Sequence, residues 1–278
     1  MMRKIKLNLE YDGTNYHGWQ VQDDVVTIQG IIEERVKRLN GFPTRIYGAS
    51  RTDAGVHALS QVAAFNTPTI YDTETIKKAL NATLPADIRI LNADEVDNSF
   101  NPRDDAVRKI YFYIIANERK SSVFLQRYTY TVRKSLDIDS MIKSSKFLIG
   151  EHDFAAFMGT GSGIKNTVRK IYSLTVESLH EIDFMSIKLR GNFIKIRIEA
   201  NGFLRHMVRI IAGTLIEAGR GRISASEVKN ILESRNRNLA GPTVPPQGLF
   251  LEKVLYDNEK LSKEFSSLIK INSFIRKK

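Results

Sequence analysis

Residues 193–200 read FIKIRIEA, in which Ile194, Ile196 and Ile198 alternate with charged side chains. Alternation with a period of two predicts a β-strand that buries one face and exposes the other to solvent. Residues 3–10 show the same alternation. Sheets with one solvated face are typically antiparallel, whereas strands of a parallel βαβ fold are more continuously apolar. The pattern therefore favours an α+β fold.

Amphipathic helices separate the predicted strands. The first follows a capping residue, at Thr27 or a nearby polar residue, and carries apolar side chains at helical spacing from Ile28 to Leu39. Further helices are predicted from Asp72 or Thr73 to about Asn81, around 139–149 and over roughly 203–218. Each half of the chain thus mixes strands with helices.

A polar segment at 92–105 looks like a connector between two halves. It predicts an N-terminal α+β subdomain over 1–104 and a similar C-terminal subdomain over 105–257. Residues 258–278 form a basic tail, in which Leu261, Phe265 and Leu268 suggest a short helix.

The net charge is +11, from 42 Lys and Arg against 31 Asp and Glu. This excess favours a polyanionic partner such as RNA or DNA, although many basic proteins bind nothing acidic. There is no cysteine, which excludes disulfides, thiol nucleophiles and cysteine metal sites and fits a reducing cytoplasm. No apolar stretch approaches the ~18 residues of a membrane span, and the histidines lack metal-ligand spacing.

The segment GASRTDAGV at 48–56 lies between two predicted strands and places Asp53 close to Arg51. A carboxylate beside a guanidinium on a loop is suited to a nucleophile or a base. The alternative is an Asx turn shaped by glycine, and on these residues alone that turn is the commoner outcome.

Three other patterns have both a functional and a structural interpretation. Arg205 and Arg209 share one side of the predicted helix 203–218, as a solvated face or as the wall of an anion-binding cleft. Tyr111, on a predicted strand, either stacks a nucleic-acid base or packs in the sheet. His57 and His206 either contact RNA or serve the fold.

Taken together, six blocks of the sequence resemble the TruA-type tRNA pseudouridine synthase family in residues and in order. They are YDGTNYHGWQ, GASRTDAGVHALSQVAAF, AVRKIYFYI, LIGEHDFAAF, FLRHMVRIIAGTLIEAGRGR and PPQGLFLEKVLY. The resemblance runs from about residue 3 to residue 257, and RTDAGVHA is highly specific to the family.

The resemblance implies an enzyme that isomerises uridine to pseudouridine at positions 38, 39 and 40 of the tRNA anticodon stem-loop. It implies two α+β halves related by a pseudo-twofold, which share a central, mostly antiparallel sheet flanked by helices and a basic RNA-binding cleft. Family members act as homodimers without a cofactor or a metal. A non-catalytic RNA-binding or RNA-folding protein on the same scaffold is the alternative.

Residue roles follow from the matching positions. The resemblance implies that Asp53 is the catalytic aspartate, that Arg209 pairs with it, and that Tyr111 stacks on the target base. Arg51 is expected to contact the flipped-out nucleotide, and Leu249 matches an apolar position near the base. Arg205 and His57 complete the expected substrate-binding set.

The chain departs from the family pattern at two places. Ser50 stands where a glycine usually precedes RTDAG, and FNPR at 100–103 stands where the family usually has Phe-His-Ala-Arg. The second departure blurs any role for that segment.

Overall fold

The alternating segments form one ten-stranded sheet in a computed structural model that describes residues 2–184 and 186–257. The strands are β1 (Arg3–Tyr11), β2 (Tyr47–Gly48), β3 (His57–Thr67), β4 (Ile88–Val96), β5 (Ala106–Ala116), β6 (Tyr130–Thr131), β7 (Gly150–Asp153), β8 (Val168–Phe184), β9 (Ile187–Ala200) and β10 (Leu249–Tyr256). The helices are α1 (Ile28–Asn40), α2 (Thr73–Asn81), α3 (Ile138–Ser145), α4 (Met207–Gly219) and α5 (Ala225–Ser234). The predicted α+β class is confirmed.

The order of strands in the sheet is β4-β1-β3-β10-β5-β9-β8-β7, with β2 beside β3 and β6 beside β5. Pairing is antiparallel except between β3 and β10 and between β5 and β6. Strand β10 joins the N-terminal strands to the C-terminal strands. It pairs with β5 along most of its length, but with β3 only at Phe250↔His57 and Leu251↔Ala58.

The core lies on the face of the sheet that carries the alternating apolar residues. Leu7 and Leu9 of β1 and Ile196 and Ile198 of β9 are fully buried. Helix α4 lies deep in this core, because twelve of its thirteen residues are buried. Arg209 is the exception.

Helix boundaries agree with the capping residues read from the sequence at two places. The Thr27 side chain accepts from Gly30 N–H at the start of α1, and Asp72 accepts from Thr75 N–H at the start of α2. Strand β4 runs to Val96, so the connector predicted at 92–105 begins later than expected. The division into two related subdomains stays a prediction, and the tail at 258–278 lies outside the described residues.

Candidate active site

A cavity of about 960 Å³ opens between the 48–56 segment, the first turn of α4 and the start of β5. Seven residues are predicted from the sequence to form a site, and six of them line this cavity. They are Arg51, Asp53, Tyr111, Arg205, Arg209 and Leu249. The fold therefore gathers residues from four separate parts of the chain around one space.

Asp53 lies in a turn that the neighbouring loop holds in place. Val56 N–H donates to the Asp53 carbonyl, and Trp19 N–H donates to the Thr52 carbonyl at 3.0 Å. Gly18 has φ +86° and approaches so closely that a Cβ there would lie 2.5 Å from the Thr52 carbonyl oxygen. The segment is thus a glycine-dependent turn, and this turn presents a carboxylate to the cavity.

Arg209 pairs with Asp53 across the cavity. Its Nη1 donates to Asp53 Oδ2 at 3.0 Å, and its Nε donates to the Val244 carbonyl at 2.8 Å. The two side chains are 13% and 27% exposed. Because the guanidinium is anchored to backbone on one edge, it fixes the carboxylate that it binds on the other.

His206 lies on the other side of the same carboxylate, with Nε2 3.6 Å from Asp53 Oδ1. Burial lowers the pKa of His206, and the positive charges of Arg209, Arg205 and Arg237 add to this effect, against the opposing influence of Asp53. The imidazole is therefore held mainly neutral near pH 7. Since 3.6 Å exceeds hydrogen-bond range, Oδ1 accepts no hydrogen bond from the part of the chain that the structure describes.

Tyr111 borders the cavity from β5 and is 5% exposed. Its hydroxyl shares a 2.8 Å hydrogen bond with Ser50 Oγ, and its ring meets Phe203 edge-on at 5.1 Å. Burial raises the pKa of Tyr111 above its usual range, so the phenol stays protonated. Leu249 of β10 adds an apolar wall to the same cavity.

The two remaining arginines differ in their surroundings. Arg51 is exposed and makes no hydrogen bond or ion pair within residues 2–184 and 186–257. Arg205 donates to the Thr160 and Gly161 carbonyls at 3.0 and 3.3 Å. The prediction that Arg205 lies with Arg209 on one helix is wrong, because His206 has φ +59° and α4 begins only at Met207.

His57, which is also predicted to bind substrate, does not line this cavity, and its role in binding stays a prediction. It is 1% exposed and lies outside the cavity. Gly13 N–H donates to its Nδ1 at 3.1 Å, and its Nε2 lies 3.0 Å from the Arg127 carbonyl. Both ring nitrogens thus have protein partners, which makes His57 a buried link between loops.

Sequence reasoning did not assign several cavity residues to the site, and Lys109 and Phe203 are two of them. Lys109 has a signal that was available in the sequence, because it lies two residues before Tyr111 on a strand and therefore shares its face. Phe203 had no such signal, since its contact with Tyr111 depends on the loop before α4.

Two classes of feature are not found among residues 2–184 and 186–257. No group of three or more His, Asp or Glu side chains is arranged to hold a metal ion. No helix in the same ranges has the length and apolar character needed to cross a membrane.

The sequence matches the tRNA pseudouridine synthase family over residues 9–103 and 145–257. The chain belongs to this family. A tRNA pseudouridine synthase A from Thermoanaerobacter sp. (strain X514) is 46% identical over 255 residues, which is 92% of this chain and all of that protein. Proteins of the same name from Acetivibrio thermocellus and Thermodesulfovibrio yellowstonii are 45% and 42% identical over the same shares.

Family membership covers the cavity as well as the fold. Asp53, Arg205, Arg209 and Leu249 lie inside the ranges that match the tRNA pseudouridine synthase family, whereas Tyr111 lies between the two ranges. The similarity to the full-length relatives is thus not confined to the segment around Asp53.

Proposed function

We propose that this chain isomerises uridine to pseudouridine in the anticodon stem-loop of tRNA, at positions 38, 39 and 40, with Asp53 as the catalytic carboxylate. The observation that carries the proposal is the 3.0 Å ion pair between Asp53 and Arg209 in a cavity that Tyr111 also lines. A protein that only binds RNA has little use for a carboxylate oriented in this way.

The reaction breaks the N1–C1′ bond, rotates the uracil and joins C5 to C1′. The hydrogen on C5 leaves as a proton and N1 gains one, so the overall change is an isomerisation. Asp53 either attacks C1′ to form a glycosyl ester or takes the C2′ proton to give a glycal. In both routes Asp53 Oδ2 stays on Arg209, and Oδ1 faces the sugar.

Tyr111 and Leu249 are proposed to hold the base while it is detached. The Tyr111 ring stacks on the uracil, and the closed apolar wall keeps water away from the intermediate. Arg51 and Arg205 contact the displaced RNA, which offsets a cost of a few kcal/mol for leaving the helical stack.

We expect Tyr111→Phe to bind RNA but to turn over poorly, and a wild-type rate would remove any role for the hydroxyl.

The test is Asp53→Asn, with Asp183→Asn as a matched control at an exposed position of β8 outside the cavity. Purified protein is incubated with unmodified tRNA, and pseudouridine is mapped along the product. We expect Asp53→Asn to bind tRNA without forming pseudouridine, and Asp183→Asn to behave as wild type. Substantial turnover by Asp53→Asn would refute the assignment.

The same mapping separates the enzyme from the non-catalytic alternative and identifies the modified positions.

We also propose that residues 1–104 and 105–257 are two halves related by a pseudo-twofold, which form a basic cleft, and that the protein acts as a homodimer. The sheet order supports the halves, because β1, β3 and β4 lie on one side of β10 and β5, β7, β8 and β9 on the other. Light scattering of the purified protein tests the dimer.

A further inference from the structure

Two cations line the edge of the cavity, and a third lies near them on the same face of the sheet. Lys109 of β5 and Arg103, in the turn before this strand, line the cavity, whereas Arg169 is the second residue of β8 and lies outside the lining. Lys109 of β5 and Ile171 of β8 both lie opposite Ala200 of β9, so their side chains point to the same face of the sheet. Arg169 lies two residues before Ile171 on β8 and therefore shares this face. We call these residues the Arg103–Lys109–Arg169 cluster.

The cluster concentrates positive charge, and none of its members is ion-paired with a carboxylate of the described chain. No ion pair joins any of its three members to an acid within the ranges that the structure describes. Burial, together with the positive charges of Arg103 and Arg169, lowers the pKa of Lys109 to about 8, although Asp104 opposes the shift. Burial and the charge of Arg103 also lower the pKa of Arg169. Such mutual repulsion is relieved when an anion binds.

The donors of the cluster are only partly used. Lys109 Nζ donates one hydrogen bond in the described chain, to the Ala49 carbonyl at 2.6 Å. Arg169 Nη1 donates to the Asn166 and Val168 carbonyls, and its remaining nitrogens make no hydrogen bond to described residues. Arg103 is exposed and likewise makes no side-chain contact of this kind. Several N–H groups therefore remain free for an oxyanion.

Position along β5 relates the cluster to Tyr111. Residues two apart on a strand lie about 6.8 Å apart and point to the same face. Lys109 and Tyr111 are thus spaced like the phosphate and the base of one nucleotide. Neighbouring Arg108 points to the opposite face, where it pairs with Glu199 at 2.8 Å.

We propose that the Arg103–Lys109–Arg169 cluster binds the phosphodiester next to the nucleotide whose base lies against Tyr111. This inference rests on the proposed function, since it takes RNA as the ligand. Strand β5 then contacts one nucleotide at two points, the base at Tyr111 and the backbone at Lys109. The phosphate contact positions the sugar for Asp53 and carries no base specificity.

The first test compares Arg103→Met with Arg108→Met, a control on β5 whose side chain lies outside the cavity. Arg103 is chosen because it has no partner to lose within the described chain, whereas replacing Lys109 would also free the Ala49 carbonyl. We expect Arg103→Met to weaken tRNA binding about 3- to 10-fold and to reduce the slope of log Kd against log salt by about 1. We expect Arg108→Met to retain both values.

The decisive test uses a stem-loop RNA in which a methylphosphonate replaces, in turn, each phosphate that flanks the target uridine. At one of the two positions, the methylphosphonate should weaken binding of the RNA to the wild type. The same methylphosphonate should weaken binding to Arg103→Met clearly less, because this variant already lacks the guanidinium that contacts the phosphate. Equal weakening in the two proteins at both positions would overturn the proposal. Unmodified tRNA is converted in parallel, so that a loss of pseudouridine formation by the wild type reports failure of the proposed function separately.

Discussion

Replacing Arg209 tests whether the orientation of Asp53 matters for chemistry. Arg209→Met keeps an apolar stem of similar length but removes both charged hydrogen bonds, to Asp53 Oδ2 and to the Val244 carbonyl. Arg209→Lys keeps a positive charge but cannot donate to both partners in the fixed geometry of a guanidinium. The two variants therefore separate charge from orientation.

The magnitude follows from the bond to Asp53. A hydrogen bond to a charged group contributes about 1.5–3 kcal/mol. If this contribution is lost only in the transition state, the rate falls about 10- to 150-fold, because about 1.4 kcal/mol corresponds to a factor of 10. We expect Arg209→Met to show this loss and Arg209→Lys to show a smaller one.

The assay is a single-turnover reaction with enzyme in excess over tRNA that carries tritium at C5 of uridine. Joining C5 to C1′ releases the tritium to water, so the rate of release follows the chemistry and not product dissociation. Filter binding gives Kd separately, and thermal unfolding checks that each variant is folded. A rate for Arg209→Met within twofold of wild type, at saturating enzyme, would refute the idea that this pair orients the catalytic group.

Three further outcomes are expected from stability measurements. Ser50→Ala should lower the free energy of unfolding by about 1 kcal/mol, and this loss should vanish in a Tyr111→Phe background if the shared hydrogen bond is its cause. Gly213→Ala should lower the free energy of unfolding by about 1–3 kcal/mol or more, because a Cβ there would lie 1.9 Å from a backbone carbonyl oxygen. Gly163→Ala is the control and should leave the stability unchanged, because a Cβ there meets no atom within 4 Å. The folded state lowers the pKa of Lys109 from 10.5 to about 8, so the unfolded chain binds this proton more tightly. As the pH rises from about 8 to 10.5, the free energy of unfolding of the wild type should therefore increase relative to that of Lys109→Met. Parallel pH profiles for the two proteins would contradict the assigned cause.

Local patterns were sufficient for the elements whose cause is local. The alternation in FIKIRIEA produces β9, and Thr27 and Asp72 cap the helices that follow them. In each case the deciding interaction lies within a few residues of the element itself. The confirmed parts of the fold are of this kind.

Features that depend on contacts between distant parts of the chain could not be predicted from local sequence patterns. Helix α4 begins later than its spacing predicts, because nothing nearby in the sequence shows that His206 adopts a left-handed conformation. The buried position of His57 could not be predicted, because its partners at Gly13 and Arg127 are distant in the chain. The grouping of Asp53 with Arg209 came from the family resemblance, since Asp53 alone also suited an ordinary turn.

The central position of β10 has a consequence for how the chain reaches this structure. It is the last described strand along the sequence, yet it separates β3 from β5 in the sheet. During synthesis the two groups of strands therefore emerge with their inner edges covered only by the two-residue strands β2 and β6, and such open edges invite aggregation until they are covered. Contacts between segments so far apart along the chain also form slowly. We expect the site around Asp53 and Arg209 to assemble only when this final strand inserts, so that a nascent chain stalled before residue 249 has helices and hairpins but no competent cavity.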